Sequence, residues 1–336
     1  MLAIGVLLVS AVAAGALYQF IEARRSTRAY APPGRVVDVD GQRLHLVCAG
    51  TGGPTVVFES GIAASSLSWT RVVPGVAAFT RACAYDRAGL AWSDPPRSPR
   101  TLARIIGELH GLLASAAVPG PFVLVGHSFG AFLACAYASQ HPADTAGVVL
   151  LDPPSEWHEP TREQARRLRG AIQLSRAGGV LARLGVVRAC LALLTGGAPG
   201  VPRNFVKIFG PTAARTLERL VGEVRKLPPD VHPIVQALWC QPKCFQSMAG
   251  HLGGLDETAA FVAGLTSLPD VPLVVISSGD QPSDTVAEHR RLTRLSPQSR
   301  HIVAASSGHW IQFDEPDLVI SAIRDVVDRA RGRTAA

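Results

Sequence analysis

Five consecutive residues, Gly126-His127-Ser128-Phe129-Gly130, form the pattern in this chain best suited to chemistry. They lie between the apolar stretch Phe122-Val123-Leu124-Val125 and a run from Ala131 to Gln140 that reads as a helix closed by Pro142. A serine on a tight strand-to-helix turn needs small residues two positions to either side, because a side chain there would strike the next element. Gly126 and Gly130 meet that need. Such a turn lifts Ser128 clear of the sheet edge and sets the N–H of Phe129 at a helix start, where it can donate to a developing oxyanion. A chance Gly-x-Ser-x-Gly is the competing reading in a chain with 32 glycines, and the flanking strand and helix argue against it.

A serine hydroxyl is a weak nucleophile until a base takes its proton. Of the ten histidines, His309 is the expected base. It follows a late apolar strand through Ala305-Ser306-Ser307-Gly308 and precedes the last helix, so its loop can reach back over the sheet edge. His127 is expected to pack, since neighbouring residues leave a strand on opposite faces. A carboxylate should then hold the imidazole tautomer and stabilise the imidazolium. Asp280 is favoured because it follows the strand at 272–277 through Gly279. Asp152 ends an earlier strand and is the alternative, with Asp284 a minor third. The second oxyanion donor is expected in Glu59-Ser60-Gly61-Ile62, where Gly61 permits close approach and Ile62 supplies the N–H.

These residues need a scaffold that places strand ends side by side. Residues 35–47 alternate around Asp40-Gly41, a hairpin signal. Short apolar runs at 55–59, 82–85, 122–125, 148–151, 272–277 and 300–304 read as strands, and helical stretches at 101–117, 131–140, 285–295 and 317–331 alternate with them. Strand–helix alternation argues a mostly parallel sheet covered on both faces, with the hairpin as its antiparallel edge. The alternation stops after Asp152. From residue 155 to 250 there are fourteen Lys/Arg against six Asp/Glu, with helical stretches at 164–194 and 213–226. The expected organisation is a core in two parts, 35–154 and 268–332, with a helical cap at 155–267.

Ahead of the core, residues 2–21 form an apolar run broken by Ser10, Tyr18 and Gln19, long enough to cross a bilayer as a helix. We expect a membrane anchor over residues 1–22 and a linker over 23–34 ending in Pro/Gly residues. A cleaved signal peptide is the alternative, although no Lys or Arg precedes the run. Arg24, Arg25 and Arg28 would favour a cytoplasmic domain by charge bias, a weak argument for a large folded domain. The net charge of +7 comes without aromatic-interleaved basic runs, so nucleic acid is not an expected partner and anionic lipid head groups suit it better. The six cysteines are scattered. Cys240 and Cys244 lack a second ligand pair and read as core or cap thiols, so no metal is expected and the compartment stays open.

The elbow at 126–130, the segment Tyr85-Asp86-Arg87-Ala88-Gly89 with Ser93-Asp94 after it, and Ser307-Gly308-His309 before a terminal helix together resemble the α/β-hydrolase superfamily, in its esterase and lipase-like branch. The similarity covers residues 35–152 and 268–330, and the family's helical cap would account for the insertion. The family usually has His-Gly where this chain has Ser60-Gly61, and a Gly-x-x-Asp acid motif where it has Gly279-Asp280. Epoxide hydrolases and haloalkane dehalogenases of the superfamily carry an aspartate at the elbow, and the insertion has no tyrosine to activate an epoxide. The resemblance therefore implies a cofactor-free serine hydrolase. Ser128 would attack the carbonyl of a small-molecule or lipid-like ester and His309 would relay the proton. Arginines at 166, 167, 169, 176, 183 and 188, interleaved with leucines and valines, suit a lid against an anionic membrane, or equally an ordinary cap helix with a solvated face. A peptidase, a thioesterase and a non-catalytic binding module of the same fold are the alternatives.

Overall fold

The computed structural model describes residues 2–154, 161–195 and 224–334. Its centre is an eight-stranded sheet of order β1-β2-β4-β3-β5-β6-β7-β8. The strands are β1 (Arg35–Val39), β2 (Gln42–Ala49), β3 (Thr55–Glu59), β4 (Ala82–Asp86), β5 (Phe122–His127), β6 (Thr145–Leu151), β7 (Leu273–Ser278) and β8 (Ser299–Ala304). β2 runs antiparallel to β1 and β4, and every other pairing is parallel. The hairpin is thus the antiparallel edge that its turn signal implies, with Asp40 and Gly41 both at positive φ.

Central strands are buried on both faces, which is why β3, β5 and β7 read as continuous apolar runs. Successive residues still point to opposite sides. Phe122 and Leu124 join a core layer with Leu109, Leu112 and Phe132, while Val123 and Val125 join another with Trp69, Ile323 and Val326. The helices supplying these layers are α2 (Val73–Ala77), α3 (Leu102–Ser115) and α4 (Phe129–Gln140), with α12 (Pro316–Thr334) closing the chain.

Between β6 and β7 lie α5 (Arg162–Arg183), α6 (Val186–Thr195), α7 (His232–Trp239), α8 (Pro242–Gly253) and α9 (Leu255–Ala263). A capping box at Thr161 and Gln164 starts α5. The single helix expected over 164–194 is broken at Leu184-Gly185, where Gly185 takes φ +73°. Most of the helix expected over 213–226 lies outside the described residues. After β7 come α10 (Ser283–Arg291) and, beyond β8, α11 (Ile311–Asp314).

The N-terminal helix α1 (Leu2–Ala29) runs unbroken past the expected anchor boundary, so the connector shrinks to residues 30–34. It is long and apolar enough to cross a membrane. Its second half is docked on the cap. A Cβ built on Gly15 would lie 2.3 Å from the Leu184 carbonyl oxygen, so two backbones touch there. Gln19, the polar break in the apolar run, is buried and donates to the Cys240 carbonyl at 2.9 Å. Arg188 donates to Gln19 at 3.0 Å, and so faces α1 rather than the membrane of the lid reading or the solvent of the cap-helix reading. Val6, Leu7, Val9 and Val12 remain exposed.

Two of the scattered cysteines are joined. Cys48 on β2 sits directly opposite Cys83 on β4, and their sulfurs form a disulfide. Cys240 and Cys244 are buried free thiols, as the sequence suggested.

Candidate active site

Ser128 leaves β5 at φ 54°, ψ −124°, a left-handed conformation that costs about 1–3 kcal/mol for a residue with a side chain. The fold holds it there by close packing. Its N–H donates to the Leu151 carbonyl at 2.9 Å, and its own carbonyl accepts from Ala131 at 2.8 Å. A Cβ on Gly126 would come 2.3 Å from the Gly130 oxygen, and one on Gly130 would come 2.3 Å from the Glu59 oxygen. Both glycines are therefore obligatory. Phe129 begins α4 and is buried, while Ser128 keeps partial access to solvent.

His309 lies on the loop after β8, beside the elbow. The buried His127 ring is 4.7 Å from the His309 ring and donates through Nε2 to the His309 carbonyl at 2.8 Å. This is the packing role expected of His127.

The favoured acid, Asp280, is not His309's partner. Asp280 is exposed, and its Oδ1 accepts from Ser278 Oγ at 2.7 Å. Asp284 lies in the first turn of α10, also exposed. The alternative, Asp152, receives His309 Nδ1 on its Oδ2 at 2.6 Å, with its side chain fully buried. Asp152 takes φ 42° where the chain leaves β6, and its carboxylate there meets the His309 ring. Donors in and just after β7 complete its shell: Ser278 N–H at 3.1 Å and Gln281 Nε2 at 2.8 Å. Burial opposes ionisation of Asp152, but the hydrogen bonds from His309, Ser278 and Gln281 and the His309 charge outweigh it and hold the carboxyl below its usual range. It stays an acceptor for the imidazole N–H.

Sequence reasoning missed His289. This buried ring bonds Ser277 Oγ at 2.8 Å and the Pro153 carbonyl at 2.7 Å, tying the turn after Asp152 to β7. Burial lowers its pKa, so it serves as a neutral strut. Nothing in its helical context at 283–291 marks it out.

The loop after β3 lies against the elbow as expected. A Cβ on Gly61 would be 3.4 Å from Ser128 Cβ, and Ile62 follows, half-buried. Ser60, where the family usually has histidine, accepts from Trp69 Nε1 at 3.0 Å and donates to the Ser65 carbonyl at 3.0 Å. Beside this loop an apolar pocket is lined by Ala63, Leu67, Leu90 and Phe313 with Leu227 and Leu238 of the cap. The serine turn, the His309–Asp152 pair and the loop of Gly61 and Ile62 thus lie together at one end of the sheet, residue types of the kind that carry out acyl transfer.

At the far end of α4, His110, His141 and Asp144 bring their ligand atoms within 4.8 Å of one another. The two imidazoles stack at 4.1 Å and 8°, so their in-plane lone pairs do not converge on one point.

A family model described as the alpha/beta hydrolase fold matches residues 54–187. The uncharacterized protein YqjL of Bacillus subtilis is 28% identical over 86% of this chain and 89% of its own length. A haloalkane dehalogenase of Sphingobium indicum is 28% identical over 88% of this chain and 96% of its own. Among solved structures, a thermophilic esterase from Thermogutta terrifontis superposes with a TM-score of 0.61 at 20% identity, covering 87% of this chain and 96% of the esterase. Together with the sheet order and the strained serine turn, these likenesses identify the chain as a protein of the α/β-hydrolase fold.

Proposed function

We propose that this protein is a serine hydrolase that cleaves a carboxylic ester through an acyl-enzyme on Ser128. The observation that carries the reading is the His309–Asp152 pair at 2.6 Å beside a serine held at positive φ between β5 and α4. His309 takes the hydroxyl proton as Ser128 attacks the carbonyl, then gives it to the leaving alcohol. The N–H groups of Ile62 and Phe129 stabilise the oxyanion, and water activated by His309 releases the acid. Hydrolysis is common to the haloalkane dehalogenase and the esterase that the chain is similar to. The serine at the elbow favours acyl transfer over the aspartate-based chemistry of a dehalogenase.

The apolar pocket and the docked α1 support a lipid-like substrate. Leu174, Val180, Leu181 and Val186 are exposed on the cap helices against which α1 packs. A membrane that holds α1 would also hold this face, with exposed Arg166, Arg167, Arg169, Arg176 and Arg183 at the head groups. The Cys48–Cys83 disulfide favours the oxidising side of that membrane, against the charge bias of Arg24, Arg25 and Arg28.

The test is hydrolysis of p-nitrophenyl esters of rising acyl length by the detergent-extracted full chain, with mass spectrometry of the quenched enzyme. We expect turnover and an acyl adduct on Ser128. Turnover of thioesters or amides without esters, or an adduct elsewhere, would overturn the reading.

A further inference from the structure

The segment Tyr85-Asp86-Arg87 takes no part in the chain from nucleophile to acid, yet all three side chains are buried. Arg87 leaves the end of β4 and turns toward the end of β3, its neighbour in the sheet. There its guanidinium meets three successive residues. Nη1 donates to Glu59 Oε2 and to the Ser60 carbonyl, each at 2.6 Å, and Nη2 donates to the Gly61 carbonyl at 2.5 Å.

A trans peptide is planar, with its C=O and the following N–H pointing in opposite directions. Fixing the Gly61 oxygen on Arg87 therefore fixes the Ile62 N–H on the other side, away from the guanidinium. Ser128 borders this same loop, with its Cβ 3.4 Å from a Cβ built on Gly61. The guanidinium also lies 5.7 Å from the ring of Phe129, the residue carrying the other candidate donor.

We propose that Arg87 is the positioning residue of the oxyanion loop, its planar fork holding the Ser60 and Gly61 carbonyls so that the Ile62 N–H stays aimed at the oxyanion. The inference rests on the acyl-transfer reading above. Only a fork can span two carbonyls and a carboxylate at once, and a lysine ammonium cannot reproduce that geometry.

The surroundings fix Arg87 in turn. Tyr85 hydroxyl donates to the other oxygen of Glu59. Asp86 accepts from Ser66 N–H at 2.8 Å and His45 Nδ1 at 2.7 Å, pinning the strand end that carries Arg87. From the cap, Ser247 on α8 donates to the Ala88 carbonyl at 2.7 Å, and Lys243 to the Ala91 and Ser93 carbonyls at 2.6 and 2.7 Å. Burial pushes the Glu59 carboxyl up to about 7 against the pull of Arg87. The hold on the Ser60 and Gly61 carbonyls does not depend on the charge of Glu59, because those acceptors are neutral and are bonded directly by Arg87.

The test compares wild type, Arg87→Lys and the charge-neutral pair Arg87→Met with Glu59→Gln, which leaves no unpaired buried carboxylate. Active sites are titrated with a fluorophosphonate, kcat and KM are measured on one p-nitrophenyl ester, and affinity is measured for an alkyl boronic acid, whose serine adduct mimics the tetrahedral intermediate. Loss of one oxyanion donor lowers kcat by about 10²–10³-fold, and we expect that loss per titrated site in both variants. KM should stay within about twofold, since the ground-state ester does not need the donor. Boronate affinity should fall in parallel with kcat. Variants with fewer titratable sites but unchanged kcat per site and unchanged boronate affinity would reduce Arg87 to a folding role and overturn the proposal. Failure of the wild type to turn over esters or bind the boronate would instead sink the acyl-transfer reading, and this inference with it.

Discussion

Replacing Asp152 by asparagine keeps the shape of the side chain and removes one charge. In the wild type that charge sits 2.6 Å from His309 Nδ1, with the carboxylate fully buried and the imidazole 23% exposed. As the imidazolium forms in the transition state, charge centres about 4 Å apart at an effective dielectric of about 20 gain about 4 kcal/mol. Loss of that term corresponds to about a thousandfold in rate. Asp152→Asn should therefore lower kcat for a p-nitrophenyl ester by about 10³-fold, with KM little changed, because the interaction is made in the transition state. Asp280→Asn removes an exposed carboxylate bonded only to Ser278 Oγ among the described residues, and should stay within about twofold of wild type. Stopped-flow or steady-state assays on both variants, normalised by active-site titration, decide the matter. A loss below about tenfold for Asp152→Asn, or an equal loss for Asp280→Asn, would refute the assignment of Asp152 as the acid.

Gly130→Ala should unfold the elbow or cost more than about 3 kcal/mol in urea denaturation, because its Cβ would lie 2.3 Å from a backbone oxygen that cannot yield. His251 is fully buried, and burial, with the charges of Arg87 and Arg100, lowers its pKa well below 6.5. The unfolded chain then binds the extra proton, so stability present above pH 6.5 falls as pH drops below it, by up to about 1.4 kcal/mol per pH unit. His251→Phe should flatten that part of the pH–stability curve, and an unchanged slope between pH 5 and 6.5 would count against the buried neutral imidazole. The Cys48–Cys83 bridge spans 35 residues, for which chain entropy gives about 4 kcal/mol. Non-reducing peptide mapping of the native protein should find that pair linked, and a Cys48→Ser variant should melt lower.

The elbow was legible in the sequence because its signal is local: two glycines, a serine, an apolar strand before and a helix after. The sheet was legible for the same reason, through runs such as Thr55–Glu59 and the turn at Asp40-Gly41. The acid was not. Asp152 and Asp280 both follow strands in the required chain order, and what separates them is the positive φ at Asp152 and donors from Ser278 and Gln281, more than 120 residues away. The disulfide was hidden for a related reason, since Cys48 and Cys83 become opposite only once β2 pairs with β4. The N-terminal helix did carry a signal, because Gln19 interrupts the apolar run at a position that docks on the cap. Length and apolarity alone read that helix as an anchor and said nothing of its contact with the cap.

The central claim is an activated serine at position 128. Labelling of the detergent-extracted full chain with a fluorophosphonate probe, compared between wild type and Ser128→Ala, tests it most directly. The account predicts labelling of the wild type that is lost in the variant. A folded wild type that takes no label, or labelling unchanged in Ser128→Ala, would contradict it.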